Sequence, residues 1–386
     1  MRERIKGRLK EVKSLLASEE NQRRQEVQRR LGRKETVHPV PFNAWNLTSG
    51  FPLVVVGWSR RLGWKLDPER IGRETGPLTA DYAAELVEFQ LLQKIEKFKQ
   101  VPEEIPIAPA ISTNLGLCWM FRPGAFGERY RVETSTGAFV PQPILKEESD
   151  LEKLERPRFE FDRSRHEARV AVFEEIVEGE LPVVDDGLPG GPGAPFSTAN
   201  NLRGVLEILL DMKDRPAFVH RLMDVIAEAI LSFNEEARRE LGGGRMGTFG
   251  CDEVSCDMFP PAAYEEFIFP YECKAAAAFD SIYYHSCGNL TPLFGKIAEI
   301  PKIQRVHVSP WSELAAAIEQ AGGKVVLEKH LDPRVNLDKL SREEMRAQVK
   351  KVTDLGTHYP LEMVVATNTP GGRLYREVFY EETGAA

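Results

Sequence analysis

Tyr283-Tyr284-His285-Ser286-Cys287-Gly288-Asn289 ends a short apolar and aromatic run that begins at Ser281, and it ends it in an imidazole and a thiol two residues apart. A helical pattern resumes near Thr291, so the stretch reads as a strand handing over to a helix, the repeating unit of an α/β fold. Alternate residues of a strand share a face, which puts His285 and Cys287 toward one place. At the carboxyl end of a parallel strand, that place is where α/β folds keep their chemistry. A thiolate beside an imidazole nitrogen suits zinc. Taken alone, the pair reads more readily as a buried thiol and a histidine capping the next helix, because two ligands do not make a site.

The same unit recurs along the chain. Strand patterns fall at residues 37–45, 105–111, 181–186, 245–250, 281–284, 303–308, 324–328 and 361–367, with helical periodicity between them, as at 199–212, 215–241 and 341–355. Eight strands alternating with helices predict an α/β fold of the (β/α)8 TIM-barrel type over residues 37–386. Residues 1–36, rich in Arg, Lys and Glu around spaced Leu and Val, predict an N-terminal helical arm that packs or forms a dimer. Residues 112–160, with Gly124, Gly127 and the alternating Tyr130-Arg131-Val132-Glu133-Thr134, predict a hairpin-rich insertion over the barrel mouth.

Composition narrows the function classes. The 386 residues carry 59 acidic against 51 basic side chains, a net charge of −8, which argues against nucleic acid or an anionic membrane as the main partner. No apolar run approaches the roughly 20 residues needed to span a bilayer, and the first residues are charged where a signal peptide is apolar, so a cytoplasmic protein is expected. Five cysteines at 118, 251, 256, 273 and 287 form no disulfide framework and leave thiols for metal or catalysis. The Gly/Pro run 187–195 lacks the Gly-Lys-Ser/Thr ending of a phosphate loop, and its prolines remove amide donors an anion needs.

Reading the strand ends gives the candidate site. Asn43, Trp45, Asp185 and Asn368 fall where a substrate would be lined. Asp252 and Glu253 are placed to orient substrate or shuttle a proton, and His307 offers a further acid or base. A catalytic zinc needs about three protein ligands, and besides His285 and Cys287 the third donor is open among Cys251, Glu328 and His330.

Several segments together resemble the uroporphyrinogen decarboxylase superfamily over most of residues 38–386. They are Pro195-Phe196-Ser197-Thr198 with the later LEILLDMKDRP of 206–216, Asp252 with Phe259-Pro260-Pro261 and the FIFPY of 267–271, His285-Ser286-Cys287-Gly288-Asn289, Val308-Ser309-Pro310-Trp311, and Leu331-Asp332-Pro333. In the decarboxylase branch, an arginine-rich segment after the first strand holds substrate carboxylates. Here that position reads Pro41-Phe42-Asn43-Ala44-Trp45, without the counter-charges a polyanionic tetrapyrrole needs. The branch that transfers methyl groups from a corrinoid protein carries His-x-Cys on its fifth strand and a further Cys near its eighth, as zinc ligands. His285 and Cys287 match the pair, while residues 366–372 contain no Cys. The resemblance therefore implies a methyltransferase-like enzyme with zinc and a small-molecule substrate. Any corrinoid would ride on a separate partner protein, since no Asp-x-His-x-x-Gly cobalamin segment occurs in this chain. It also leaves open a metal-independent lyase using Asp252 with His285 or His307, or a tetrapyrrole-binding module with a mouth lined by Trp45, Trp119 and Trp311.

Overall fold

A computed structural model of the chain describes residues 1–32, 42–43, 79–100, 106–113, 125–127, 129–132, 139–184, 191–242, 245–332, 334–356, 358–364 and 370–383. Trp45, Trp119, Asp185 and Asn368 lie outside the described residues, and Asn43 is described as backbone alone. The strands, in chain order, are β1 (Phe42–Asn43), β2 (Ile111–Ser112), β3 (Arg129–Val132), β4 (Phe139–Gln142), β5 (Val183–Val184), β6 (Met246–Phe249), β7 (Ser281–Tyr284), β8 (Ile303–Val308), β9 (Val326–His330) and β10 (Leu361–Val364). By contacts the chain divides into two compact units. One comprises Met1–Arg29, Phe42–Arg122 and Glu160–Pro189; the other comprises Arg30–Pro41, Pro123–Phe159 and Gly190–Ala386.

In the first unit, helix Arg2–Leu16 buries Ile5, Leu9 and Val12, a one-face helical spacing. These pack with Ala83, Leu86, Val87 and Leu91 of helix Ala80–Gln100 and with Phe173 and Val177 of helix Arg163–Val177. Asp162 caps the last of these by accepting from the Arg165 amide. β2 pairs parallel with β5, and Gln90 completes the edge: its Nε2 donates to Ser112 O at 2.7 Å and its Oε1 accepts from Ser112 N at 2.9 Å.

In the second unit, β3 and β4 form an antiparallel pair within the segment expected to be hairpin-rich. Helices Pro195–Arg203, Val205–Asp214 and Pro216–Leu241 follow, the last burying Val219, Leu222, Met223, Ile226, Ile230 and Phe233. The unit's remaining strands are parallel and lie side by side in chain order from β6 to β10. Helical segments separate them: Pro261–Phe267 and Phe269–Ala275, then Phe294–Ile297, Leu314–Ala321 and Arg342–Gly356. Parallel neighbours joined through helices are the α/β class expected from the strand-helix alternation. No helix among the described residues is long and apolar enough to cross a membrane.

The register of these strands decides which side chains meet. Thr248 aligns with Tyr283, Tyr283 with Arg305, His307 with Glu328, Glu328 with Glu362, and His330 with Val364. Alternation along each strand then puts Tyr283, Arg305, His307, Glu328, His330 and Glu362 on one face, with Ile282, Tyr284, Val306, Val308, Leu327 and Met363 on the other. One face of this sheet is thus polar and largely buried, with Glu328 and Glu362 both fully shielded from solvent.

Candidate metal centre

The loops after β6, β7 and β8 are laced together, and the lacing places the site. His285 N donates to Phe249 O at 2.9 Å, continuing the β6–β7 ladder to its end. Gly250 then turns the β6 chain at φ +76°, passing so close to His285 that an added Cβ would lie 2.3 Å from His285 O. Ser286 Oγ donates to Val254 O (2.8 Å), Asn289 N to Ser255 Oγ (3.0 Å) and Cys256 N to Asn289 O (2.9 Å). Gly288 is required by the same approach, for its Cβ would stand 2.5 Å from Ser255 Cβ. From the other side, Ser309 Oγ donates to Gly288 O at 2.6 Å.

This arrangement brings Asp252, His285 and Cys287 together. Cys287 Sγ lies 3.5 Å from His285 Nε2, Asp252 Oδ1 lies 3.8 Å from the same nitrogen, and Cys287 N donates to Asp252 Oδ1 at 3.3 Å. One ligand atom from each residue falls within 4.8 Å of the other two, and among the described residues this is the group of such donors close enough to share an ion. Zinc bonds of about 2.0–2.3 Å in a tetrahedron put donors roughly 3.3–3.8 Å apart, and the two separations about His285 Nε2 fall in that range, with the Asp252 and Cys287 donors within 4.8 Å of each other. The cluster is open to solvent at Asp252, whose side chain is 68% exposed, and half-buried at His285, at 24%. Partial burial, reinforced by Asp252, pushes the Cys287 thiol up to about 12. Burial also lowers His285, against the pull of the Asp252 and Glu328 carboxylates.

Behind His285 stands a second layer. His285 Nδ1 is 3.2 Å from Tyr283 OH, Tyr283 OH donates to Glu328 Oε1 at 2.7 Å, and His330 Nε2 meets the same oxygen at 2.8 Å. Arg305 Nη1 lies 3.7 Å from Glu328 Oε2 and 3.3 Å from Glu362 Oε2. Burial works against an ionised Glu328, yet the His330 hydrogen bond and charge and the Arg305 charge hold it below the usual carboxylate range. Glu362, with Arg305 as its ion partner, is pushed up to about 7 by burial. The His307 ring stacks on His285, with centroids 4.4 Å apart and planes 5° apart, and meets the His330 ring edge-on at 4.1 Å. His307 Nδ1 donates to Ser286 O at 2.6 Å, and burial together with the neighbouring histidines lowers its basicity to about 2. It is a neutral, packed ring at the base of the site.

The other expected donors stand apart from the cluster. Cys251 Sγ accepts from Asn200 Nδ2 at 3.6 Å, and burial followed by the Glu253 carboxylate raises its thiol well above the ordinary value. Glu328 and His330 belong to the layer behind His285. Asp252, read from sequence as an orienting or proton-shuttling acid, supplies the third donor of the cluster. Trp311 carries the Arg334 guanidinium 4.0 Å above its ring. Sequence reasoning passed over Tyr283 and Arg305. The signal for Tyr283 was its position two residues before His285, on the same strand face.

Comparison with known proteins bears on this geometry. The profile of the family described as Uroporphyrinogen decarboxylase (URO-D) matches residues 113–366, well over half of the chain. The chain belongs to the uroporphyrinogen decarboxylase (URO-D) family. Among curated URO-D relatives, the uroporphyrinogen decarboxylase of Hydrogenovibrio crunogenus is 23% identical over 284 residues, covering 68% of this chain and 76% of that protein. The one from Xanthomonas axonopodis pv. citri is 24% identical over 308 residues, covering 74% and 82%. Among solved structures, a methyltransferase from Methanosarcina mazei superposes with a TM-score of 0.55 at 15% identity, covering 93% of this chain and 97% of the other, a likeness of fold. The URO-D match spans β6 to β10 and the three laced loops, so all three donors and the layer behind them lie inside it.

Proposed function

We propose that this URO-D family member is a cytoplasmic, methyltransferase-like enzyme. In this reading it moves a methyl group from a corrinoid-bound or small-molecule donor to an acceptor activated at a zinc ion held by Asp252, His285 and Cys287. The observation that carries the proposal is the mutual spacing of those three donors, 3.5 and 3.8 Å about His285 Nε2, at the carboxyl ends of adjacent parallel strands. Zinc held there would keep an acceptor thiol deprotonated near neutral pH.

The chain's own residues do the rest. Cys287 would hold the ion as its thiolate. Asp252, fixed by the Cys287 amide, would offset the ion's charge at the solvent-facing side. Packed His307 fixes the plane of His285. Asn43, Trp45, Asp185 and Asn368 at the other strand ends are proposed to line the substrate, and Glu253 to shuttle protons. The strands β1, β2, β5 and β6 to β10 are taken as the eight of a (β/α)8 barrel.

Elemental analysis of the purified chain tests this directly. About one zinc per chain, lost in Cys287→Ala and Asp252→Ala, is expected, followed by demethylation of methylcobalamin in the presence of small thiols. Absence of stoichiometric metal overturns the proposal. A second reading, a metal-independent decarboxylase, has one observation in its favour: Asp252 and His285 also stand as an acid-base pair. Its mark is turnover that survives chelation and disappears in Asp252→Asn.

A further inference from the structure

We infer that Tyr283, anchored by Glu328, is a positioning residue that holds His285 as its Nδ1–H tautomer and so turns the Nε2 lone pair toward Cys287 and Asp252. The inference rests on the proposed metal reading for its use, but on hydrogen-bond directions for its content.

A tyrosine hydroxyl has one hydrogen to give. Its shorter contact is to Glu328 Oε1 at 2.7 Å, and an ionised carboxylate only accepts. The hydrogen therefore lies toward Glu328. The opposite direction would leave two sets of oxygen lone pairs facing each other at 2.7 Å. The 3.2 Å contact between Tyr283 OH and His285 Nδ1 is then made by a proton on Nδ1. Nε2 is left as the acceptor, and its neighbour at 3.5 Å is the Cys287 thiol, a donor while it keeps its proton.

Glu328 is held firmly enough to impose this direction. It is fully buried and takes a hydrogen bond from His330 at 2.8 Å, and Arg305 stands 3.7 Å from its other oxygen. The ring plane of His285 is set separately by stacking on His307, itself tied to Ser286 O. Tautomer and orientation thus have different sources, and removing the Tyr283 hydroxyl disturbs the first alone. Groups that orient a ligating histidine in this way typically contribute 10–100-fold to metal affinity.

The test uses the full chain labelled with 15N-histidine, with His285→Gln to assign the resonance. In the metal-free protein, long-range 1H–15N correlations are expected to show His285 with a protonated Nδ1 and a bare Nε2. In Tyr283→Phe the tautomer is expected to shift toward Nε2–H, and zinc affinity, read by competition with a chromophoric chelator, to fall about ten- to a hundredfold. Glu328→Gln is the second variant: an amide can donate back to the tyrosine, so a partial shift is expected. Melting curves identify any variant that fails to fold. An Nε2–H form in the unmodified protein, an unchanged tautomer in Tyr283→Phe, or a changed tautomer with zinc affinity within threefold overturns the inference. If the unmodified chain binds no zinc yet its tautomer switches in Tyr283→Phe, the metal reading falls and the positioning role stands.

Discussion

Asp252 offers its carboxylate to a backbone amide and an imidazole on the neighbouring strand loop while remaining open to water. A residue so exposed adds little to stability, since surface substitutions away from packed features usually stay within about 0.5 kcal/mol. Its charge, by contrast, matters to a cation. Asp252→Asn keeps an oxygen for the Cys287 amide and removes the charge. It is expected to leave the melting temperature nearly unchanged while weakening zinc retention at least tenfold in a chelator competition. Equal retention would assign the third donor elsewhere. Gly288 gives the opposite result. Its Cβ would meet Ser255 Cβ at 2.5 Å and Val254 O at 2.9 Å, so Gly288→Ala forces the two loops apart. Overpacking of this kind costs about 1–3 kcal/mol, to be read from urea unfolding, and should also separate Cys287 from Asp252.

The elements of the second unit show which parts of this could be read in the sequence and which could not. The five strands β6 to β10 announced themselves by short apolar runs between helical periods, and period two alone set His285 and Cys287 on one side. Their partnership with Asp252 depends on the β6–β7 register and on the turn at Gly250, neither of which a periodicity carries. Tyr283 was read as one aromatic of a strand, but its hydroxyl reaches across β8 to Glu328, 45 residues on. Among the helices, LEILLDMKDRP was visible as a motif before its role was. Asp211 within it binds Arg203 at 2.8 Å and also Arg215, and Arg203 Nη1 donates to Leu145 O and Lys146 O at 3.0 and 2.7 Å. The buried carboxylate therefore ties helices Pro195–Arg203 and Val205–Asp214 to the chain after β4. Removing one partner of a buried pair costs about 3–5 kcal/mol, so Asp211→Ala is expected to be among the more destabilising single changes in chemical denaturation.

At the scale of the molecule, buried acids couple stability to pH, and Glu272 gives the clearest case. Its side chain is wholly buried on helix Phe269–Ala275, with Tyr264 OH donating to Oε2 at 2.7 Å. Burial outweighs that hydrogen bond and pushes its pKa from 4.5 up to about 7. Between these values the folded chain keeps a proton that the unfolded chain has released, so the native state binds more protons and stability falls as pH rises. Glu272 thus contributes its full share below about pH 4.5 and loses it as pH passes through about 7, a change on the order of 3 kcal/mol. Glu362, also held up to about 7, acts in the same direction. Glu272→Gln keeps the shape and an acceptor for Tyr264 and cannot ionise. Urea unfolding of the two proteins at pH 5 and pH 8 is expected to give similar stabilities at the lower pH and a more stable variant at the higher one. A difference that does not grow between the two pH values would mean that Glu272 is already ionised in the folded chain at the lower pH.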